Sequence, residues 1–160
     1  MSRGVFIRLG LHREKLPQQM AIKMEQHRKI SGVIVSGVKQ GAFFTGLEWV
    51  QKQCLEKLGF KPWPGTLNLR IDDDDDIRNL ERLWRTGGIE LVPPDSDYCS
   101  GHVFPVSVGG IAGAIVAPAE EVRVHGGDIV EIISPLRLKD ALGVKDGDTI
   151  TFKTAPIAGG

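Results

Sequence analysis

The first chemistry in this chain is carried by oxygen-bearing side chains at two-residue spacing. In the run Thr66-Leu67-Asn68-Leu69-Arg70-Ile71, polar and apolar residues alternate. As a strand it sends Leu67, Leu69 and Ile71 to one face and Thr66, Asn68 and Arg70 to the other. A hydroxyl and a carboxamide then stand side by side, and they either ligate a hard cation or merely satisfy the end of a strand. Glu131, between Val130 and Ile132, is a strand carboxylate. Partly buried, it can orient or deprotonate a hydroxyl, while alternation alone would equally make it a solvent-facing residue. Gly37-Val38-Lys39-Gln40-Gly41-Ala42 is a glycine-flanked loop whose backbone N–H groups can approach phosphate oxygens. An ordinary strand-to-helix turn has the same composition. Ser134 and Pro135 open a short helix through Leu136, Arg137, Leu138 and Lys139. Its free N–H groups can assist an anionic or polar ligand, or Arg137 simply lies on a solvated helix face.

Other conspicuous residues carry less. Consecutive carboxylates in the run Asp72 to Asp76 point in different directions and repel one another, so a solvated turn that favours a following helix N-terminus is the better reading than a metal site. His12, His27 and His102 have no ligand spacing, and the two cysteines, Cys54 and Cys99, make neither a disulfide framework nor a zinc cluster. Trp49, Trp63 and Trp84 are expected to be packing residues.

The elements that would position these groups are short. Gly32 to Gly37 reads as a strand. Thr45 and Glu48 have capping-box spacing before a helix over Gly46 to Leu58, closed by Gly59. A second helix follows the acidic run, with Ile77, Leu80, Leu83 and Trp84 inward. Further strands are expected at Ile89 to Val92, His102 to Val108, Ile111 to Ala117, Ile129 to Ile133 and Asp148 to Phe152. Gly109-Gly110 joins two of them in a tight hairpin. Ser134 is expected to cap a short helix with Pro135 at its first position, ended by Gly143. Many short strands with few helices predict a mainly β chain folded as a compact closed β-barrel, because closure removes exposed edges.

Composition narrows the classes of partner. The chain has 160 residues with 20 Lys and Arg against 20 Asp and Glu, and zero net charge argues against nucleic-acid binding. No apolar run reaches the roughly 20 residues that span a bilayer, and the first residues lack the form of a signal peptide. A soluble, cytoplasmic protein without membrane partners is expected. Residues 1–30 form a basic arm, read as a peripheral helix, followed by the body at 31–154 and a tail at 155–160.

Four segments, GVIVSGVKQGAFF, LGFKPWPGTLNLRI, IAGAIVAP and DIVEIISPLRLKDALGVKDGDTITF, occur in the order and spacing of the archaeal CTP-dependent riboflavin kinases. The chain resembles that family from Gly32 to Phe152. The resemblance implies a cradle-loop β-barrel that uses Mg²⁺ to transfer phosphate from CTP to riboflavin, with CDP and FMN as products. It assigns Mg²⁺ binding to Thr66 and Asn68, and nucleotide binding to Gly37, Val38, Lys39, Gln40, Gly41 and Ala42 and to Leu136, Arg137, Leu138 and Lys139. Flavin contact and catalysis fall to Glu131. The sequence departs from the family at Lys39, where a central glycine is common. It departs again at Arg123, which replaces a threonine on the flavin side two residues before the matching His125. Arginine there suits an anionic acceptor, so a kinase of another acceptor stands beside the riboflavin reading, as does a non-catalytic nucleotide-binding barrel.

Overall fold

The structure, a computed structural model, describes residues 27–36, 44–95, 100–118 and 129–155. The expected glycine loop at 37–42, Arg123, His125, Cys99, the tail at 156–160 and all but the last residues of the basic arm lie outside the described residues.

Among the described residues the elements follow one another as β1 (Lys29–Val35), α1 (Glu48–Leu58), β2 (Leu67–Arg70), α2 (Asp74–Arg85), β3 (Ile89–Leu91), β4 (Gly101–Val108), β5 (Ile111–Pro118), β6 (Ile129–Ile133), α3 (Leu138–Leu142) and β7 (Thr149–Thr154). Pairing is antiparallel throughout, in the order β3-β4-β5-β6-β2-β1-β7. The second half of β4 also pairs with β7, Val106 opposite Thr154 and Val108 opposite Phe152. That contact closes six strands into a barrel and leaves β3 attached beside the first half of β4. Gly109 and Gly110, at φ 58° and 80°, make the tight turn between β4 and β5. Positive φ at both central residues is what a two-residue hairpin with the right twist demands.

Alternation along the strands divides the apolar residues into two cores. Ile30, Ile34, Leu67, Leu69, Phe104, Ile115, Val130, Ile132 and Phe152 fill the barrel together with Leu80, Leu83 and Trp84 of α2. On the outside, Val50 and Cys54 of α1 pack on Leu91, Val103, Ala114 and Ile133. The acidic run begins α2: Asp73 is the N-cap, accepting from the Asp76 amide at 3.1 Å, and Asp74 to Asp76 form the first turn. Carboxylates there meet the positive end of the helix dipole. No helix among the described residues is long and apolar enough to cross a membrane.

Two caps differ from expectation. α1 starts at Glu48 with Leu47 in the cap position and no side-chain cap. The Thr45 hydroxyl instead accepts from the Gly65 amide at 2.9 Å. α3 starts after Arg137, also without a side-chain cap. Ser134 lies three residues too early: its hydroxyl donates to the Ala112 carbonyl at 3.1 Å and accepts from the Leu136 amide at 3.3 Å. Both side chains were drawn from a cap to a partner distant in sequence.

Candidate active site

β2 and β6 run side by side with Leu67 opposite Ile132 and Asn68 opposite Glu131. Leu67, Leu69, Val130 and Ile132 belong to the barrel interior, so Thr66, Asn68 and Glu131 share the outer face. Thr66 donates its hydroxyl hydrogen to Glu131 Oε1 at 2.9 Å. Asn68 is only 7% exposed although it points away from the core, and its carboxamide has no hydrogen-bond partner among the described residues. Its polar atoms are not among the solvent-excluded, unpartnered ones and open onto the pocket beside it, where a polar guest can reach them.

The segment preceding β2 is pinned from three sides. Gln51 of α1 donates to the carbonyls of Thr45 and Pro62 at 2.6 and 2.8 Å. The Gly65 amide is held by Thr45, and the Trp63 amide donates to the Ser134 carbonyl at 2.7 Å. Gly65 has φ +135°, and a Cβ on it would lie 2.7 Å from the Trp63 ring. Glycine is therefore required both by the backbone and by the approach of the indole.

Beside this segment opens a pocket of about 480 Å³, lined by Ser36, Trp63 to Asn68, Ile132, Ser134 and Leu136 to Lys139. Its size suits a small-molecule ligand. Thr66, Asn68 and the whole of Leu136, Arg137, Leu138 and Lys139 thus face one cavity. Glu131 is not in the lining and reaches it through Thr66. Lys139 Nζ donates to Asp146 Oδ1 at 2.7 Å, and the Ser36 hydroxyl donates to Asp146 Oδ2. The Lys139 hydrogen bond first, and that of Ser36 second, hold the Asp146 carboxyl below its ordinary value.

Trp63 is a correction to the sequence reading. Trp84 is a core residue, but Trp63 is 41% exposed and walls the pocket with the Arg137 guanidinium 5.8 Å from its ring centre. That separation is within cation–π range. Ser36 and Asp146 likewise have no role legible from their local sequence. Asp146-Gly147 signals a turn, and nothing local shows that its carboxylate meets Lys139 and Ser36.

The donors at β2 suit a hard cation. Thr66 and Asn68 offer neutral oxygens of the kind Mg²⁺ accepts, and among the described residues no group of three His, Cys, Asp or Glu is gathered for a metal. Ligands without charge leave neutralisation to whatever anion arrives with the cation.

Comparison with known proteins identifies a family for the chain. The family model CTP-dep_RFKase, described as a domain of unknown function, DUF120, matches residues 34–154. The chain is 39% identical over 144 residues to a riboflavin kinase of Archaeoglobus fulgidus, covering 88% of this chain and 60% of that protein. It is 35% identical over 130 residues to a riboflavin kinase of Pyrobaculum aerophilum, covering 76% and 58%. A riboflavin kinase of Aeropyrum pernix is 36% identical over 126 residues, covering 76% of this chain and 92% of that protein. The chain therefore spans about three fifths of the length of the first two relatives and nearly all of the third.

Proposed function

This chain belongs to the CTP-dependent riboflavin kinase family, and on that premise we propose that it transfers the terminal phosphoryl group of CTP to the primary hydroxyl of riboflavin, giving FMN and CDP. The observation that carries the reading is the meeting of Thr66, Asn68 and Glu131 at the edge of the pocket walled by Leu136 to Lys139. The triphosphate lies along the pocket, with Lys139 and the loop that follows Ser36 as its anion-binding partners. Thr66 and Asn68 join this cavity to Glu131, which takes the acceptor hydroxyl.

Phosphoryl transfer asks little covalent chemistry of a protein and much positioning and charge neutralisation. Thr66 and Asn68 would hold Mg²⁺, which would supply neutralisation of the phosphate charge when bound with the nucleotide. Glu131 orients the attacking hydroxyl and receives its proton. Its bond from Thr66 fixes the orientation of the carboxylate beside the pocket. Trp63 and Arg137 shape the mouth of the pocket. Such a metabolic role would place the protein in the cytoplasm, with a nucleotide and a flavin rather than nucleic acid as its partners.

Incubation with Mg²⁺, riboflavin and each of the four nucleoside triphosphates, followed by detection of FMN, tests the proposal. FMN formed with CTP above the other three is the expected result. No FMN with any nucleotide, together with no riboflavin binding in the presence of CDP and Mg²⁺, removes the flavin assignment.

A further inference from the structure

Two pocket residues that come from distant parts of the chain share one partner outside the pocket. Ser36 directly follows β1, while Lys139 belongs to α3. Asp146 takes the hydroxyl of the first on one carboxylate oxygen and the ammonium of the second on the other. Ser36 and Lys139 line the pocket, and Asp146 does not.

The turn that carries Asp146 is fixed to β1. The Gly147 amide donates to the Ile34 carbonyl at 2.8 Å, and the Ile34 amide donates to the Asp148 carbonyl at 2.8 Å. Inside the turn the Lys145 amide donates to the Asp148 side chain at 2.9 Å. The carboxylate therefore keeps a set position relative to the end of β1, and α3 brings Lys139 to it. Exposed ion pairs of this kind contribute little to stability, so holding the fold together is a poor account of the bridge. Its effect is on two rotatable side chains. A free lysine ammonium samples many rotamers and loses that freedom when it meets a ligand. Here one of its three donors is already engaged, and the others remain for phosphate oxygens.

We propose that Asp146 is a positioning residue for the nucleotide: it presets the Lys139 ammonium and the Ser36 hydroxyl, both in the pocket lining, before the nucleotide arrives. The proposal rests on the kinase reading. It also carries an opposing effect that makes it decidable. Asp146 adds a negative charge near a polyanion, so if its charge were all that mattered, removing it would tighten nucleotide binding. If positioning dominates, removing it weakens binding.

The test is calorimetric titration of the full chain with CDP and Mg²⁺, and with cytidine as a control, for the unaltered protein, Asp146→Asn, Asp146→Glu, Lys139→Met and the Asp146→Asn, Lys139→Met pair. Asp146→Asn is expected to weaken CDP about tenfold, the scale of losing one preorganised charged contact, and to leave cytidine unchanged. The KM for CTP rises in step while kcat stays within about twofold, and Asp146→Glu recovers part of the loss. In the Lys139→Met background, Asp146→Asn has little further effect, because the two act through one contact. A thermal melt of each variant separates loss of folding from loss of binding. Unchanged or tighter CDP binding by Asp146→Asn, or additive losses in the pair, overturns the positioning role alone. Failure of the unaltered protein to bind CDP overturns the kinase reading and this inference with it.

Discussion

Thr66 and Asn68 bring no formal charge to the cation they are proposed to hold, so metal and nucleotide must bind as a unit. Replacing both, Thr66→Ala with Asn68→Ala, is expected to abolish the Mg²⁺ dependence of CDP affinity in a calorimetric titration. The melt should change little, because both side chains lie on the outer face while Leu67 and Leu69 keep the barrel core. Metal-dependent affinity that survives in the double variant would end this assignment. Glu131 is tested by Glu131→Gln, which retains an oxygen to accept the Thr66 hydroxyl but removes the base. FMN formation is expected to fall about 100-fold or more with CDP affinity nearly unchanged, and an unimpaired rate would show that no carboxylate is needed. The alternation of Thr66 to Ile71 made the shared face of Thr66 and Asn68 legible, since period two is a local property. The burial of Asn68 was not legible, because it depends on what covers β2 from elsewhere in the chain. Trp63 misled for a related reason: an aromatic residue is usually packed, and only the φ of Gly65 and the approach of Arg137 turn it toward a cavity.

At the scale of elements, most helices and strands followed their periodicities, and the disagreements lie at the caps and at the start of β1, which begins at Lys29 rather than Gly32 and buries Ile30, a residue read as part of the helical arm. A hydroxyl three residues before a glutamate satisfies a helix N-terminus only if nothing else claims it. Thr45 is claimed by the Gly65 amide and Ser134 by the Ala112 carbonyl and Leu136 amide. Those three contacts are long-range or belong to a bend, and no sequence pattern announces them. The Thr45 contact, together with the Gln51 bond to the Pro62 carbonyl and the Trp63 amide bond to the Ser134 carbonyl, also explains why the segment from Pro62 to Thr66 can act as a rigid wall without being helix or strand. Gly65 is its weakest point to substitution. Gly65→Ala must either hold alanine at φ +135° or push the indole away, at a cost of about 1–3 kcal/mol. A lowered melting temperature together with weaker CDP binding is the expected outcome. A variant with both properties intact would show that Trp63 is not held by this contact.

For the whole molecule, short strands punctuated by glycine and aspartate were enough to expect closure, but not the strand order. β2 lies between β1 and β6, and β7 bridges β1 and β4. Those neighbours are separated by long stretches of chain, and their choice rests on the shape of the shared interior rather than on any local signal. The same interior takes Leu80, Leu83 and Trp84 of α2, so the state of the first turn of α2 is felt by the barrel as a whole. Two aspartates therefore give the fold opposed responses to pH. Burial chiefly, with Asp73 and Asp75 adding and the Ser31 amide opposing, raises Asp76 above its ordinary value of 3.8. The folded state then binds more protons than the unfolded state between 3.8 and the raised value, and the contribution of Asp76 to stability falls as pH rises through that window. Asp146 is lowered by Lys139 and Ser36, so its contribution is present above 3.8 and disappears as pH falls from there through its folded value. Melting curves between pH 3 and pH 7 should separate the two. Asp76→Asn is expected to melt higher than the unaltered protein at pH 7, with the gap narrowing toward pH 3, because asparagine can still accept from Ser31 without ionising. Asp146→Asn is expected to melt only slightly lower at pH 7, as suits an exposed pair, with that small gap closing only below 3.8. If Asp76→Asn melts lower at neutral pH, the attraction of the α2 N-terminus for an anion outweighs burial and repulsion at this site, and the sign assigned to Asp76 is wrong.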